Sequence, residues 1–248
     1  EGKELKLGDK DELVKDPSRA LENIVITSKV LEYCRTHNVP IIFASSREVY
    51  GDVLRETTSE EDTEFNQVAS PYTASKLSGE ALVYSYHQCY DLPYIVLRLS
   101  NVYGRYDNDL ERMERVIPLF IRLIESDQPI TVFGSEKILD FTYIDDCVDG
   151  ILRSVDRLCD GRLTKEVINL AYGKGHSLAS LAEYIGMYLG KTPVIDIQES
   201  QTGEINRYVA NIYRASQLLG YSPKTELCEG IRKVIEDKKL QELTLLSA

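Results

Sequence analysis

The sequence predicts an α/β fold built on a parallel sheet, and three observations carry that expectation. Short continuous apolar runs recur at 40–44, 92–99, 130–133, 167–171 and 193–197. Stretches with apolar residues at helical period separate them, at 18–37, 71–90, 111–126, 143–158, 210–219 and 227–238. Strands buried on both faces and alternating with helices are the pattern of βαβ units. Finally, 43% of the 248 residues are hydrophobic, enough for one core or two interlocked lobes.

Taken in order, residues 1–16 are polar and read as a loop or frayed end. Ser18 is expected to cap the helix at 18–37. The strand at 40–44 ends in small hydroxyl residues, and 56–67 is an acidic loop over the strand end. Ser70 is placed to cap the helix at 71–90, with Pro71 suited to its first position. The strand at 92–99 runs into SNVYG, and Pro118 marks a bend or restart in the helix at 111–126. Gly173 and Gly175 precede a helix capped by Ser177, and the turn GYSP separates the last two helices.

Composition excludes several classes of function. A net charge of −11 argues against an extended nucleic-acid or anionic-membrane surface. No apolar run approaches membrane-spanning length, and the charged start EGKELKLGDKDEL does not read as a secretory signal. Cys34, Cys89, Cys147, Cys159 and Cys228 are scattered without a CxxC, which reads as reduced thiols in a cytoplasmic protein. His37, His87 and His176 lack metal-ligand spacing, so no metal site is expected.

The chemistry concentrates between residues 41 and 76. Ser46 puts a hydroxyl at a strand end, and Tyr72 and Lys76 lie four apart on one helical face. A tyrosine with a free pKa near ~10 is a poor base at neutral pH, and a cation one turn away favours its phenolate. The set is a proton-transfer centre needing neither metal nor thiol.

IIFASSREVYG, SPYTASKLSGE and LRLSNVYG together resemble the Ser–Tyr-x-x-x-Lys centre of the extended short-chain dehydrogenase/reductases. The likeness is to the NAD-dependent nucleotide-sugar epimerases and dehydratases, most of all the UDP-glucose 4-epimerases, and it covers about residues 16–237. It implies a Rossmann-like parallel sheet, with N-terminal strands missing from this chain, and a smaller C-terminal substrate-binding lobe. Residues 1–105 and 140–171 would belong to the NAD-binding domain, and 106–139 and 172–248 to the lobe. Ser46, Tyr72, Lys76 and Glu48 would be catalytic. NAD would meet Asn23, Ser45, Tyr72, Lys76, Leu99 and Ser100. A UDP-linked sugar would meet Asn101, Arg115, Val116, Thr131, Phe133 and Tyr208. The helices at 18–37 and 71–90 would pair across a two-fold axis, giving a homodimer.

The implied reaction interconverts UDP-glucose and UDP-galactose through a 4-keto sugar. Glu48 keeps a second reading open, a 4,6-dehydratase or UDP-glucuronate decarboxylase; otherwise it is half of a solvated pair with Arg47. The segment DFTYIDDCVDGI at 140–151 resembles the family helix that returns to the sheet, its acids acting as caps. Departures from the family are also plain. No G-x-x-G-x-x-G turn occurs, and Gly173-x-Gly175 reads as a helix N-cap turn. Leu139 and Gln201 stand where the family carries diphosphate-binding arginines; Arg115, Arg105 and Arg207 are the candidates to replace them. The absent glycine turn leaves three explanations: a segment not included in this chain, a second chain that completes the sheet, or a non-catalytic remnant working through its surfaces.

Overall fold

The computed structural model describes residues 17–52, 55–107, 115–199 and 205–246, with side chains as far as Gln241. The expected polar loop at 1–16, the first turns of the helix at 111–126 and Gln201 lie outside them. In chain order the elements are α1 (Arg19–His37), β1 (Ile41–Ser46), α2 (Pro71–Tyr90), β2 (Tyr94–Leu99) and β3 (Asn101–Tyr103). Next come α3 (Val116–Glu125), β4 (Ile130–Phe133), β5 (Ile138–Tyr143), α4 (Ile144–Cys159), β6 (Glu166–Leu170) and β7 (Gly175–Ser177). The chain continues through α5 (Leu178–Leu189), β8 (Ile195–Gln198), β9 (Arg207–Tyr208), α6 (Tyr213–Leu219) and α7 (Leu227–Leu246).

β2 is the centre of the parallel sheet, flanked by β1 and β6. Side chains alternate across a strand, and both faces of β2 are buried. Tyr94 and Val96 pack with Leu31 of α1 and Val83 of α2, while Ile95 and Leu97 pack with Leu158 of α4 and Leu219 of α6. Fully burying each such aliphatic side chain contributes about 1.5–3 kcal/mol, so the sheet is held between helices on both faces. Ser46, Leu99 and Leu170 share one register and bring three strand ends to one edge. A separate core gathers α3, α5 and α7 around β4 and β5, through Ile121, Ile185, Ile231 and Phe141. Among the described residues no helix is long and apolar enough to cross a membrane.

The spacing between α2 and β1 is set by one missing side chain. A Cβ on Gly79 would stand 2.3 Å from Cζ of Phe43, so the Phe43 ring occupies that space. The helix therefore lies close over the strand.

Several expectations are corrected in detail. Asp140–Tyr143, expected at the start of a helix, closes β5, which pairs with β3, β7 and β9. β3, β7 and β9 are too short to show a period of their own. The helix expected at 210–219 begins at Tyr213, and the last one continues past 238 to Leu246. Pro118 makes no bend: it sits in the first turn of α3, where its missing N–H removes no helical bond. Ser70 and Ser177 cap as expected, accepting from the N–H of Thr73 at 3.2 Å and Ser180 at 3.0 Å. Ser18 occupies the N-cap position in helical conformation, and its side chain makes no capping bond.

Candidate active site

The Ser70 cap and Pro71 fix the start of α2, which sets Tyr72, Lys76 and Glu80 on successive turns of one face. Tyr72 and Lys76 are both half-buried. Lys76 Nζ donates to the Ala44 carbonyl at 2.9 Å, two residues before Ser46, and so ties the helix to the end of β1. The same ammonium stands 5.6 Å from the Tyr72 ring centre and 5.6 Å from that of Phe43. Burial lowers the Lys76 pKa from its ordinary value. Among the described residues β1 has a strand partner on one edge only, and the exposed Ala44 belongs to it.

Ser46 and Ser45 serve different purposes because neighbouring residues of a strand face opposite ways. Ser46 accepts from the N–H of Glu48 at 3.2 Å and caps a 3₁₀ turn over Arg47–Tyr50. Ser45 shares the α2 face with Ile41 and Phe43, is buried, and donates to Glu80 Oε1 at 2.6 Å. Glu80 also accepts from Arg98 Nε at 3.0 Å and Nη2 at 2.7 Å, and from the Tyr84 hydroxyl at 2.8 Å. Burial works against the Arg98 charge, but the bonds it donates to Glu80 hold its pKa above the ordinary value. Arg98 further donates to the Glu60 carbonyl at 2.9 Å and lies 4.9 Å from the Tyr50 ring centre. This network joins α2, β1, β2 and the loop at 56–67 beneath the strand ends.

The remaining expected residues fall into two groups. Asn23 is buried between the helices, donating to Ser75 Oγ at 3.2 Å, and Ser75 in turn donates to the Tyr72 carbonyl at 2.8 Å. Leu99 ends β2, and the hydroxyl of Ser100 bonds that of Thr142. Asn101 accepts from Arg47 Nε at 3.0 Å and donates to the Asp140 carbonyl at 2.8 Å. Beyond it Val102, Gly104, Arg105, Arg115 and Ile144 line a cavity of about 150 Å³. Arg105 pairs there with Asp145 at 2.9 Å, and Arg115 with Asp107 at 3.4 Å. Val116 starts α3 beside Arg115. Arg207 is elsewhere, donating to the carbonyls of Arg55 at 2.9 Å and Glu56 at 3.3 Å. Thr131 is exposed and Phe133 half-buried on β4, which pairs with β8. Leu139 is buried in register with Tyr208.

Two features were legible beforehand only in part. Arg47 and Glu48 form a buried pair, with Arg47 Nη2 3.1 Å from Glu48 Oε1, where a solvated pair was one expectation. Asp140 is fully buried and accepts from the N–H groups of Tyr172, Gly173 and Ala210 at 3.2, 2.9 and 3.2 Å. Burial outweighs those bonds and raises its pKa to about 7. Asp146 accepts from the N–H groups of Lys224 and Thr225, both at 2.9 Å, so the two acids cap loops. A buried acid in DFTY needs donors, and that was the available signal.

The nicotinamide-ribose end of a dinucleotide fits this edge. An ammonium at the end of β1, a phenol one turn away and a half-buried Ser100 after β2 are groups that can bind hydroxyls there. The described residues include no glycine turn for its pyrophosphate.

The NAD dependent epimerase/dehydratase family model matches residues 6–171. An uncharacterized UDP-glucose epimerase of Bacillus subtilis is 31% identical over 87% of this chain and 66% of its own length. The Bacillus cereus UDP-glucuronic acid 4-epimerase, solved with UDP-glucuronic acid and NAD, is 31% identical with a TM-score of 0.79. That match covers 88% of this chain and 68% of the other. The Thermotoga maritima UDP-glucose 4-epimerase, solved with UDP-glucose, is 27% identical with a TM-score of 0.80, over 93% and 74% of the two chains. The chain thus spans about two thirds of the length of such relatives. The family match spans the strand ends, Ser46, Tyr72 and Lys76 alike, and the chain belongs to the NAD dependent epimerase/dehydratase family.

Proposed function

We propose that this protein is a 4-epimerase of UDP-linked hexoses, with UDP-glucose and UDP-galactose as the first pair to test. The observation that carries the reading is Lys76, held on the Ala44 carbonyl with its ammonium 5.6 Å from the Tyr72 ring, beside the strand end that bears Ser46. NAD, when bound, supplies reversible hydride exchange at the sugar C4. Tyr72 takes the proton of the 4-hydroxyl and returns it after the 4-keto sugar has presented its other face. Ser46, whose oxygen already accepts from Glu48 N–H, orients that hydroxyl by donating its own hydrogen. Lys76 favours the phenolate through its nearby charge and binds the ribose hydroxyls. Arg105 and Arg115, on one cavity past Asn101, hold the diphosphate in place of arginines at Leu139 and Gln201. Incubation with NAD and UDP-glucose is expected to give UDP-galactose by chromatography with no net change in nicotinamide absorbance. No conversion of any UDP-hexose would sink the proposal.

The buried Glu48 favours a second reading, in which a carboxylate at this point assists loss of water or carbon dioxide after the same oxidation. A 4-keto-6-deoxy sugar or a pentose as product would establish it.

The active unit in this reading is a cytoplasmic homodimer, with all five cysteines as free thiols. α1 presents Leu21, 66% exposed, Val25 and Tyr33, 59% exposed, along its outer side. That apolar stripe suits burial against a second copy. Leu21→Glu with Tyr33→Glu is expected to halve the mass in sedimentation at micromolar protein; an unchanged mass rules this surface out.

A further inference from the structure

We infer that the sugar carries an acidic group at C6, a hexuronate carboxylate, and that Arg47 is the residue that selects it. The inference rests on the epimerase reading above and deepens it. Arg47 is held from two sides: Nε donates to Asn101 Oδ1 at 3.0 Å, and Nη2 stands 3.1 Å from Glu48 Oε1. Its third face is different. Nη1 is cut off from water and has no hydrogen-bond partner. A buried N–H of a charged group without an acceptor is rare in folded proteins and calls for an explanation, and an acceptor that arrives with a ligand supplies one. Tyr208 lies against the same guanidinium, 5.8 Å from ring centre to Cζ, and its buried hydroxyl also lacks a partner. Burial holds that hydroxyl in its protonated, donating form. Two donors thus stand unsatisfied on one side of the strand end.

Pyranose geometry says which substrate group meets them. Ser46 and Tyr72 engage the 4-hydroxyl in the proposed reaction, and Arg47 is the next residue after Ser46. On the ring, C5 adjoins C4 and carries C6, whereas the diphosphate sits on C1 across the ring. A guanidinium beside the 4-hydroxyl reaches the groups on C3 and C5, and of these only C6 on C5 can carry a carboxylate. The diphosphate end has its own cations, Arg105 and Arg115, on the cavity beyond Asn101. Charge agrees: Arg47 and Lys76 bring two positive groups to this edge against Glu48. The nearby Asp140 carboxyl is already met by three backbone N–H groups, and burial pushes its pKa up to about 7. A carboxylate accepts charge-assisted bonds from a guanidinium, about twice as strong as those to a neutral hydroxyl.

The test compares UDP-glucuronate with UDP-glucose in calorimetric binding and in turnover, using NAD-supplied protein with Arg47 intact or replaced. The unaltered protein is expected to prefer UDP-glucuronate by at least about tenfold, and Arg47→Met to lower the ratio of the two affinities about 10- to 100-fold. Arg47→Lys should keep part of the preference. Because Arg47→Met strands Glu48, the pair Arg47→Met with Glu48→Gln serves if the single variant does not fold. Equal binding of both sugars by the unaltered protein overturns the inference. So does a proportional loss for both sugars in the variant, which would assign Arg47 to the shared diphosphate. A UDP-glucuronate preference without any 4-epimer retains the carboxylate site and rejects the epimerase reading. Turnover of both sugars without discrimination does the reverse.

Discussion

The Tyr72→Phe protein is expected to lose kcat about 1000-fold, because a positioned general acid–base group contributes about 10²–10⁴ in rate. KM should move little. The phenol makes at most one hydrogen bond to the bound sugar, and a single neutral bond is worth about 0.5–1.5 kcal/mol, tenfold or so in affinity. The kinetic effect therefore exceeds the binding effect by about two orders of magnitude, and steady-state assays separate them. Folding is not at stake, since phenylalanine fills the same half-buried place on α2. The bond from Ser75 Oγ to the carbonyl of residue 72 does not involve the ring. Retained kcat within tenfold would mean that Tyr72 carries no proton and would move the acid–base role to another group. Ser46→Ala should cost less, because Tyr72 still accepts the proton when the orienting hydroxyl is gone.

The parts of this site that could be read from the sequence are those fixed by local geometry. Tyr72 and Lys76 share a face because a helix repeats every 3.6 residues, and the Ser70 cap with Pro71 fixes where that helix starts. Ser46 follows from a buried strand running into small residues. Ser45 shows the limit. With the strand expected to end at 44, residues 45 and 46 stood together; with β1 continuing to Ser46, they alternate, and Ser45 turns to Glu80. Longer-range facts were not legible. β5 is a strand because β3, β7 and β9 pair with it, and none of those partners has a period of its own. Arg47 and Glu48 look like a solvated pair in sequence, yet the 3₁₀ turn capped by Ser46 carries them inward against Asn101 and Tyr208. Burial of a charge is a tertiary property, and only its partners reveal it.

Replacing Arg98 by Met is expected to lower the unfolding free energy by about 3–5 kcal/mol, the cost of leaving one member of a buried ion pair alone. Both side chains are almost fully enclosed, 5% and 3% exposed for Arg98 and Glu80, so solvent cannot compensate the stranded carboxylate. Glu80 would retain its bonds from Ser45 and Tyr84 but lose its counter-charge. The double variant Arg98→Met with Glu80→Gln removes the charge and keeps an acceptor for the Ser45 hydroxyl, so most of the stability should return. Denaturant titration of the three proteins measures the coupling directly. Equal losses in the single and double variants would show that Arg98 acts by packing on Tyr50 and by its bond to the Glu60 carbonyl. Catalysis gives a second reading of the same pair. Glu80 lies two turns after Tyr72 and is bonded to the residue before Ser46, so the network sets the helix against the strand end. A shift of about 1 Å between catalytic groups costs about 10²-fold in rate, and kcat of folded Arg98→Met protein should fall by that order. Recovery of stability without recovery of kcat in the double variant would place the positioning role in the charge itself.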